Sequence, residues 1–288
     1  MAQLKVERPL AAPLSFVRSR ARALIYTVEG VGSQIEFFIK GIIGIPAAAT
    51  RFLGETLRLV GDITWGAGAL LVGAGTAGVI FFMSFITGGL VGLEGFKGLQ
   101  LIGAEAFTGF VSAFANTREI TPPIAGITLA AQVGAGYTAE LGAMRINDEI
   151  DALEVMAMPT IRYLVSTRIL AALIAVTPLY LVSLFASYLA TQLAVVNLYG
   201  LSGGTFSHYF HLFLPAKDVA YSLIKVLTFA AAVALIHCYY GYRASGGPAG
   251  VGVSVGKAIR ASIVTINILN LAMSALMWGI VDTVRIAG

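Results

Sequence analysis

The chain is short of charge. Asp, Glu, Lys and Arg make up 12% of its 288 residues, about half of what a soluble domain carries. With 57% hydrophobic residues and a mean hydropathy of +0.84, it reads as an integral membrane protein. Cysteine is almost absent: Cys238 stands alone, which excludes an internal disulfide. Histidine is scarce too. His208 and His211 are spaced i, i+3 in what reads as an outer loop, but no Cys or carboxylate cluster joins them into a metal site. His237, alone in an apolar run, reads as a packing residue. No Ser/His/Asp or Cys/His set stands out, so no catalytic residue is assigned. The net charge of +4 is small and its cations gather at presumed membrane edges, so topology explains it better than nucleic acid does. No cleavable signal peptide is expected, because the start (Lys5, Glu7, Arg8, Pro9) is polar and no short apolar core follows.

What the chain has in abundance is long apolar runs. A membrane-spanning helix needs roughly 20 mostly apolar residues. Residues 1–63 fail that test, carrying Arg18, Arg20, Arg22, Glu29, Glu36, Lys40, Arg51, Glu55 and Arg58, and read as a cytoplasmic or interfacial arm. Within it, Arg51 to Asp62 is amphipathic: Leu53, Leu57 and Val60 share one face, while Arg51, Glu55, Arg58 and Asp62 share another. Residues 64–288 read as a transmembrane domain with about five spans. These run from about Trp65 to Leu93, from the Pro122-Pro123 break to near Met144, from Arg168 to about Val196, from about Val219 to Tyr242, and from about Ala258 to Val281. Ile102 to Asn116 is apolar but short, and reads as a half-buried or re-entrant outer helix. The predicted fold class is therefore an all-α polytopic membrane protein. Positive charge precedes the first span and flanks the loops between spans two and three and between four and five, which puts the N-terminus in the cytoplasm and the C-terminus outside.

Two apparent nucleotide motifs fail on context. Gly73-Ala-Gly75-Thr-Ala-Gly78 matches a dinucleotide fingerprint in letters but lies inside an apolar helix, where Ala69, Gly73 and Ala77 form a small-residue packing row. Gly252 to Ala258 resembles a phosphate loop, yet its glycine spacing is one residue short and Ala258 stands where a magnesium-binding hydroxyl is needed. Other features suit transport. Gly126, Ala130, Gly134, Thr138 and Gly142 recur every fourth residue, a flat ridge for close helix contact, either within the bundle or at a dimer seam. Arg118 and Glu119 put opposite charges beside the Pro122-Pro123 break, where they either mark a pathway or form a water-exposed pair. The Gln132 amide, deep in span two, needs a partner, either on another helix or in a cavity. Phe81, Phe82 and Phe85 either line an apolar route or face lipid.

The densest acidic cluster, Glu140, Asp148, Glu149, Asp151 and Glu154, lies between spans two and three and should sit at the membrane surface, placed to grip a soluble partner. The run Ala131 to Arg145, then Ile150 to Pro159, resembles the MlaE/YrbE permease family. So do Arg118-Glu119 with Pro122, and Gly241-Tyr242 through Gly246-Gly247 to Gly250-Val-Gly252. The resemblance covers about residues 60 to 284. The long N-terminal arm looks most like the actinobacterial YrbE proteins, as the B-type partner of a pair. It implies a permease subunit of an ABC-type lipid transporter that pairs with a paralogous permease, docks a cytoplasmic ATPase dimer and works with MCE proteins on the outer face. ATP and magnesium would belong to the ATPase, with no cofactor on this chain. The segment at about 145–157 would be the coupling helix, with Arg145, Asp148, Glu149, Asp151, Leu153, Glu154 and Met156 meeting the ATPase. Arg118 and Glu119 match a family pair near the lipid path. Three positions depart from the family: Asp148-Glu149 replaces a usual Glu-Gln, Gln132 a common Arg, and Asn270 a frequent Asp. The implied function is import of a fatty acid, mycolate-type lipid or sterol across the inner membrane. An ion-coupled secondary transporter using Arg118, Glu119 or Glu105, and a structural anchor for an outer complex, are the alternatives.

Overall fold

Small residues decide how these helices meet. The structure, a computed structural model, describes residues 30, 32–65 and 75–279. Expectations that fall on 1–29, 31, 66–74 and 280–288 lie outside the described residues. Among the described residues there is no strand. The helices are α1 (Gly32–Thr50), α2 (Leu53–Trp65), α3 (Gly75–Gln100), α4 (residues 108–146), α5 (Glu149–Val155), α6 (Ile161–Leu198), α7 (Gly203–Leu212), α8 (Ala216–Tyr242) and α9 (Gly247–Trp278). By length and composition, α3, α6, α8 and α9 can each cross a membrane. Helices α1 and α2 pass that test only as a pair, and they meet at 102°.

Contacts fix the direction of each helix. Ser84 meets Ser183, Gly88 meets Ser187 and Gly92 meets Thr191, so α3 and α6 run parallel. Tyr137 reaches Arg168 while Asn116 reaches Thr191, so α4 runs antiparallel to α6. Arg118 meets Asp218 and Thr138 meets His237, which sets α8 parallel to α4. Gly126 faces Ile266 and Gly142 faces Val251, so α9 runs back. The bundle thus has one end carrying α5, the Ser33–Arg243 contact and the α1–α2 elbow, and another carrying α7 and Trp278. The core gathers where α4, α6 and α8 meet, around Leu129, Leu141, Ile169, Val176, Tyr180 and Val226.

The sequence predicts a helix break at Pro122-Pro123. The structure instead runs one helical path through it, widened into π-helix at Ser112–Ile120 and again at Ala130–Gly134. The prolines stand in the first turn of Thr121–Leu129, and Thr121 N–H bonds the Asn116 carbonyl. The fixed φ of proline suits a helical turn, and the carbonyl that Pro122 cannot meet finds its donor elsewhere. So Ile102 to Asn116 is not a separate re-entrant helix. A short 3-10 turn at Glu105–Phe107 leads into α4. Helix α4 crosses the bundle although its many small and polar residues keep it out of the four apolar spans.

Boundaries shift elsewhere. Helix α9 begins at Gly247, so the Gly252–Ala258 stretch is helix and offers no loop for phosphate. Helix α6 begins at Ile161, which draws Arg168 into the bundle. His208 and His211 lie on α7 rather than in a loop. On α2 the buried residues are Thr56, Leu59 and Ile63, while Leu53 and Leu57 of the expected apolar face are exposed. Arg58 pairs with both Glu55 and Asp62, as the spacing predicts.

Candidate functional site

At the α7 end, α4, α8 and α9 bring four ionisable side chains together, Arg118, Glu119, Asp218 and Lys225, with Asn270, Ser274 and Trp278 bonded to them. The prolines start the chain of causes. Pro122 has no N–H to offer the Arg118 carbonyl four residues back, and a freed buried carbonyl needs a donor. Lys225, fully buried on α8, supplies it at 2.6 Å. The same ammonium donates to Ser274 Oγ at 2.7 Å and lies 3.7 Å from Glu119 Oε1. Ser274 in turn donates to Glu119 at 2.6 Å, and Asn270 Nδ2 donates to the other carboxylate oxygen at 3.1 Å. An Asp at 270 would set a second carboxylate against Glu119, whereas the amide gives it a donor.

The Arg118 side chain turns to Asp218. Its Nε and an Nη each lie 2.8 Å from Oδ2, and Trp278 Nε1 donates to Oδ1 at 2.9 Å. Asp218 stands in the first turn of α8, where the helix dipole favours a carboxylate. The guanidinium lies over the rings of Phe114 at 4.2 Å and Trp278 at 5.1 Å. A cleft of about 450 Å³ opens beside these groups, lined by Phe114, Arg118, Glu119, Leu271, Ser274 and Trp278. Its lining is mainly apolar with one cation and one anion in it, and the Glu119 side chain is 43% exposed. The arrangement can receive an apolar body bearing a polar end.

The acidic segment sits at the opposite end. The helix there is shorter than the expected 145–157, covering Glu149–Val155 between two residues of positive φ, Asp148 at 58° and Ala157 at 59°. Those left-handed residues turn the chain sharply at both ends of α5. Ile150 is fully buried and pins the helix to the bundle. Val155 and Met156 project outward, 89% and 66% exposed, with Asp148, Glu149 and Asp151 also at the surface. Arg145, in the last turn of α4, pairs with Asp151. Leu153 packs partly against the core. Glu154 differs from the others: its carboxylate turns inward to Tyr242 and Thr160.

The remaining sequence candidates are dispersed. Gln132 lies toward the α5 end in a small cleft with Asp62, Thr76, Tyr137 and Glu140, away from Arg118. Phe81 stacks on Phe85 at 5.9 Å on α3, and Phe82 is 61% exposed. The lipid-path residues expected from sequence therefore do not share one site; only Arg118 and Glu119 come together. The ridge of Gly126, Ala130, Gly134, Thr138 and Gly142 faces α8 and α9 of the same chain. Gly126 meets Phe229, Gly134 meets His237, and Gly142 meets Val251. Ala130 packs with Phe229, Val233 and Ile266, and the Thr138 hydroxyl bonds His237 Nδ1 at 2.8 Å. Asp218, Lys225 and Trp278 were missed. A lysine inside a predicted span was the available signal, since an ionisable group at membrane depth points to function. Arg168, expected at the edge of span three, is buried and paired with Glu140 at 2.7 Å.

Apolar helices long enough to cross a bilayer, with a buried charge cluster toward one end, define a polytopic membrane protein. The sequence pattern of the family described as permease MlaE matches residues 66–276. A probable ABC transporter permease protein of Rickettsia bellii is 29% identical over 209 residues, 73% of this chain and 81% of that protein. A probable ABC transporter permease protein of Synechocystis is 32% identical over 200 residues, 68% of this chain and 76% of its own. The Arabidopsis thaliana chloroplastic protein trigalactosyldiacylglycerol 1 is 29% identical over 203 residues, covering 70% of this chain and 58% of that protein. The chain belongs to the MlaE permease family and is a permease subunit.

Proposed function

We propose that this chain is one membrane half of an ATP-driven lipid transporter. The observation that carries this is the pairing of two features at opposite ends of one bundle. One is an apolar cleft with Arg118 and Glu119 in its lining, and the other is an acidic helix pinned by Ile150 with an exposed apolar tip. The first suits a lipid with a polar end. The second suits a soluble partner, which the names of the relatives make an ABC ATPase. The name of the Arabidopsis relative contains a glycolipid, which supports a lipid substrate. Residues 64–288 form the permease domain and 1–63 an interfacial arm. Lys40, Arg145, Arg162 and Arg243 gather at the α5 end, favouring that end as cytoplasmic. The N-terminus then lies in the cytoplasm and the C-terminus outside, in the plasma membrane. A paralogous permease, MCE proteins outside and import of a fatty acid, mycolate-type lipid or sterol complete the reading. ATP and magnesium act on the ATPase, and this chain performs no bond chemistry.

The test is purification of the complex in mild detergent, identification of its chains by mass spectrometry, and reconstitution with a fluorescent long-chain fatty acid. An ATPase, a second permease and MCE proteins should copurify. Glu149→Lys should abolish ATP-driven lipid movement while membrane insertion is kept. Transport that persists in that variant, or in vesicles lacking ATP, would sink the coupling assignment in favour of an ion-driven carrier.

A further inference from the structure

Helix α8 is fastened at both ends. Near its start, Asp218 holds Arg118 and Trp278, and Lys225 holds the Arg118 carbonyl and Ser274. At its last residue, the Tyr242 hydroxyl donates to Glu154 Oε1 of α5 at 2.7 Å. Thr160 donates to the same oxygen at 3.3 Å and lies 3.0 Å from the Tyr242 hydroxyl. Thr160 is 6% exposed, so the contact has one buried side, while the Tyr242–Glu154 bond itself lies at the surface. The 27 residues of α8 amount to a rod of about 40 Å at about 1.5 Å per residue.

The rod is stiffly bedded. Gly241 makes that possible, because a Cβ there would lie 2.9 Å from Leu141 Cβ and 3.0 Å from Thr138 Cα. Its absence lets the end of α8 close on α4, which brings Tyr242 within reach of Glu154. The Gly241-Tyr242 pair singled out in the sequence thus has a physical purpose: one residue allows the approach and the next makes the bond. The Tyr242 ring also packs at 5.5 Å from Phe37, a contact that phenylalanine would keep.

We propose that α8 is the strut between the coupling helix and the charge cluster, and that the Tyr242 hydroxyl is a positioning group that seats α5 on it. Tyr242 touches neither nucleotide nor lipid. It acts through Glu154, so that a displacement of α5 reaches Asp218 and Lys225 at the far end of the rod. This rests on the proposed reading of the chain as the permease of an ATP-driven transporter.

The experiment uses the whole complex in lipid nanodiscs and proteoliposomes, with a fluorescent long-chain fatty acid as probe. ATP hydrolysis, ATP-driven transfer and thermal midpoint are measured for wild type, Tyr242→Phe, Trp278→Phe and the double variant. Tyr242→Phe should leave basal hydrolysis within about twofold and lower transfer about tenfold, within the range of allosteric coupling. Trp278→Phe, which deletes the far hydrogen bond to Asp218, should also lower transfer. The double variant should be no worse than the poorer single one, because both act on one element. Losses that multiply would overturn the strut. So would unchanged transfer in Tyr242→Phe, or hydrolysis and transfer falling in step with the thermal midpoint. Thr160→Val removes the second hydroxyl on Glu154 and should repeat the Tyr242→Phe split, which keeps the test open if that variant does not assemble. Absence of ATP-driven transfer in the wild-type complex would remove the transporter reading itself, and the strut with it.

Discussion

Asp218 and Lys225 show what one side chain is worth in this bundle. A buried ion pair gains little over an apolar pair, but deleting one partner strands the other charge, at about 3–5 kcal/mol. Removing Asp218, 6% exposed at its side chain, takes away the buried carboxylate on which two Arg118 nitrogens converge. Asp218→Ala should therefore lower the thermal midpoint in detergent sharply. Trp278→Phe, which removes one hydrogen bond to that carboxylate, should cost less, about 1.5–3 kcal/mol. Glu119→Gln keeps hydrogen bonding with Ser274 and Asn270 possible and should change lipid handling more than stability. Equal midpoints for Asp218→Ala and Trp278→Phe would refute this ranking. Arg118 and Glu119 were legible because adjacent opposite charges beside prolines stand out in an apolar chain. Their partners were not, because they lie about 100 residues away and nothing local in a sequence announces which carboxylate faces which cation.

Between elements, glycine and hydroxyl side chains replace bulk. The α3–α6 seam is built from Ser84 against Ser183 at 2.5 Å, Gly88 against Ser187, and Thr191 donating to the Gly88 carbonyl at 2.7 Å. A Cβ at Gly88 would overlap the Ser187 carbonyl, whereas one at Gly98 of the same helix would meet nothing within 4 Å. Gly88→Ala should thus cost about 1–3 kcal/mol through overpacking, and Gly98→Ala should be near neutral. Thermal midpoints of the two variants decide it. The ridge on α4 was readable from its four-residue repeat, though whether it faced this chain or another was not. The four-residue row from Ser84 through Gly88 to Gly92 follows the same rule. The path through Pro122-Pro123 was misread because a π-helical turn carries no sequence signature as strong as two prolines.

At the scale of the whole molecule, class and order were legible from composition alone: apolar runs of the right length, and an acidic segment that could only sit at a surface. Side chains alone gave no view of how the runs are shuffled in space, which placed Gln132 and Arg118 toward opposite ends of the bundle. That arrangement predicts separable defects. A variant at Glu149 should fail to respond to nucleotide yet still bind lipid, and a variant at Arg118 should do the reverse. Binding of a fluorescent fatty acid, measured with and without the ATPase, tells them apart.

The α3–α6 seam has one more consequence. Its small and hydroxyl-bearing residues fall at the same four-residue interval on both helices, so the seam resembles a vernier whose next graduation, one helical turn or about 5.4 Å away, also matches. A seam of that kind cannot fix its own register; side contacts must. The Phe96 ring stacked on Tyr199 at 4.4 Å ties α3 to the end of α6, and the Asn116 amide on Thr191 at 2.9 Å ties α6 to α4. Removing both by Asn116→Ala and Phe96→Ala should let cysteines placed at 84 and 187 cross-link, where in the parent chain only the pair at 84 and 183 does.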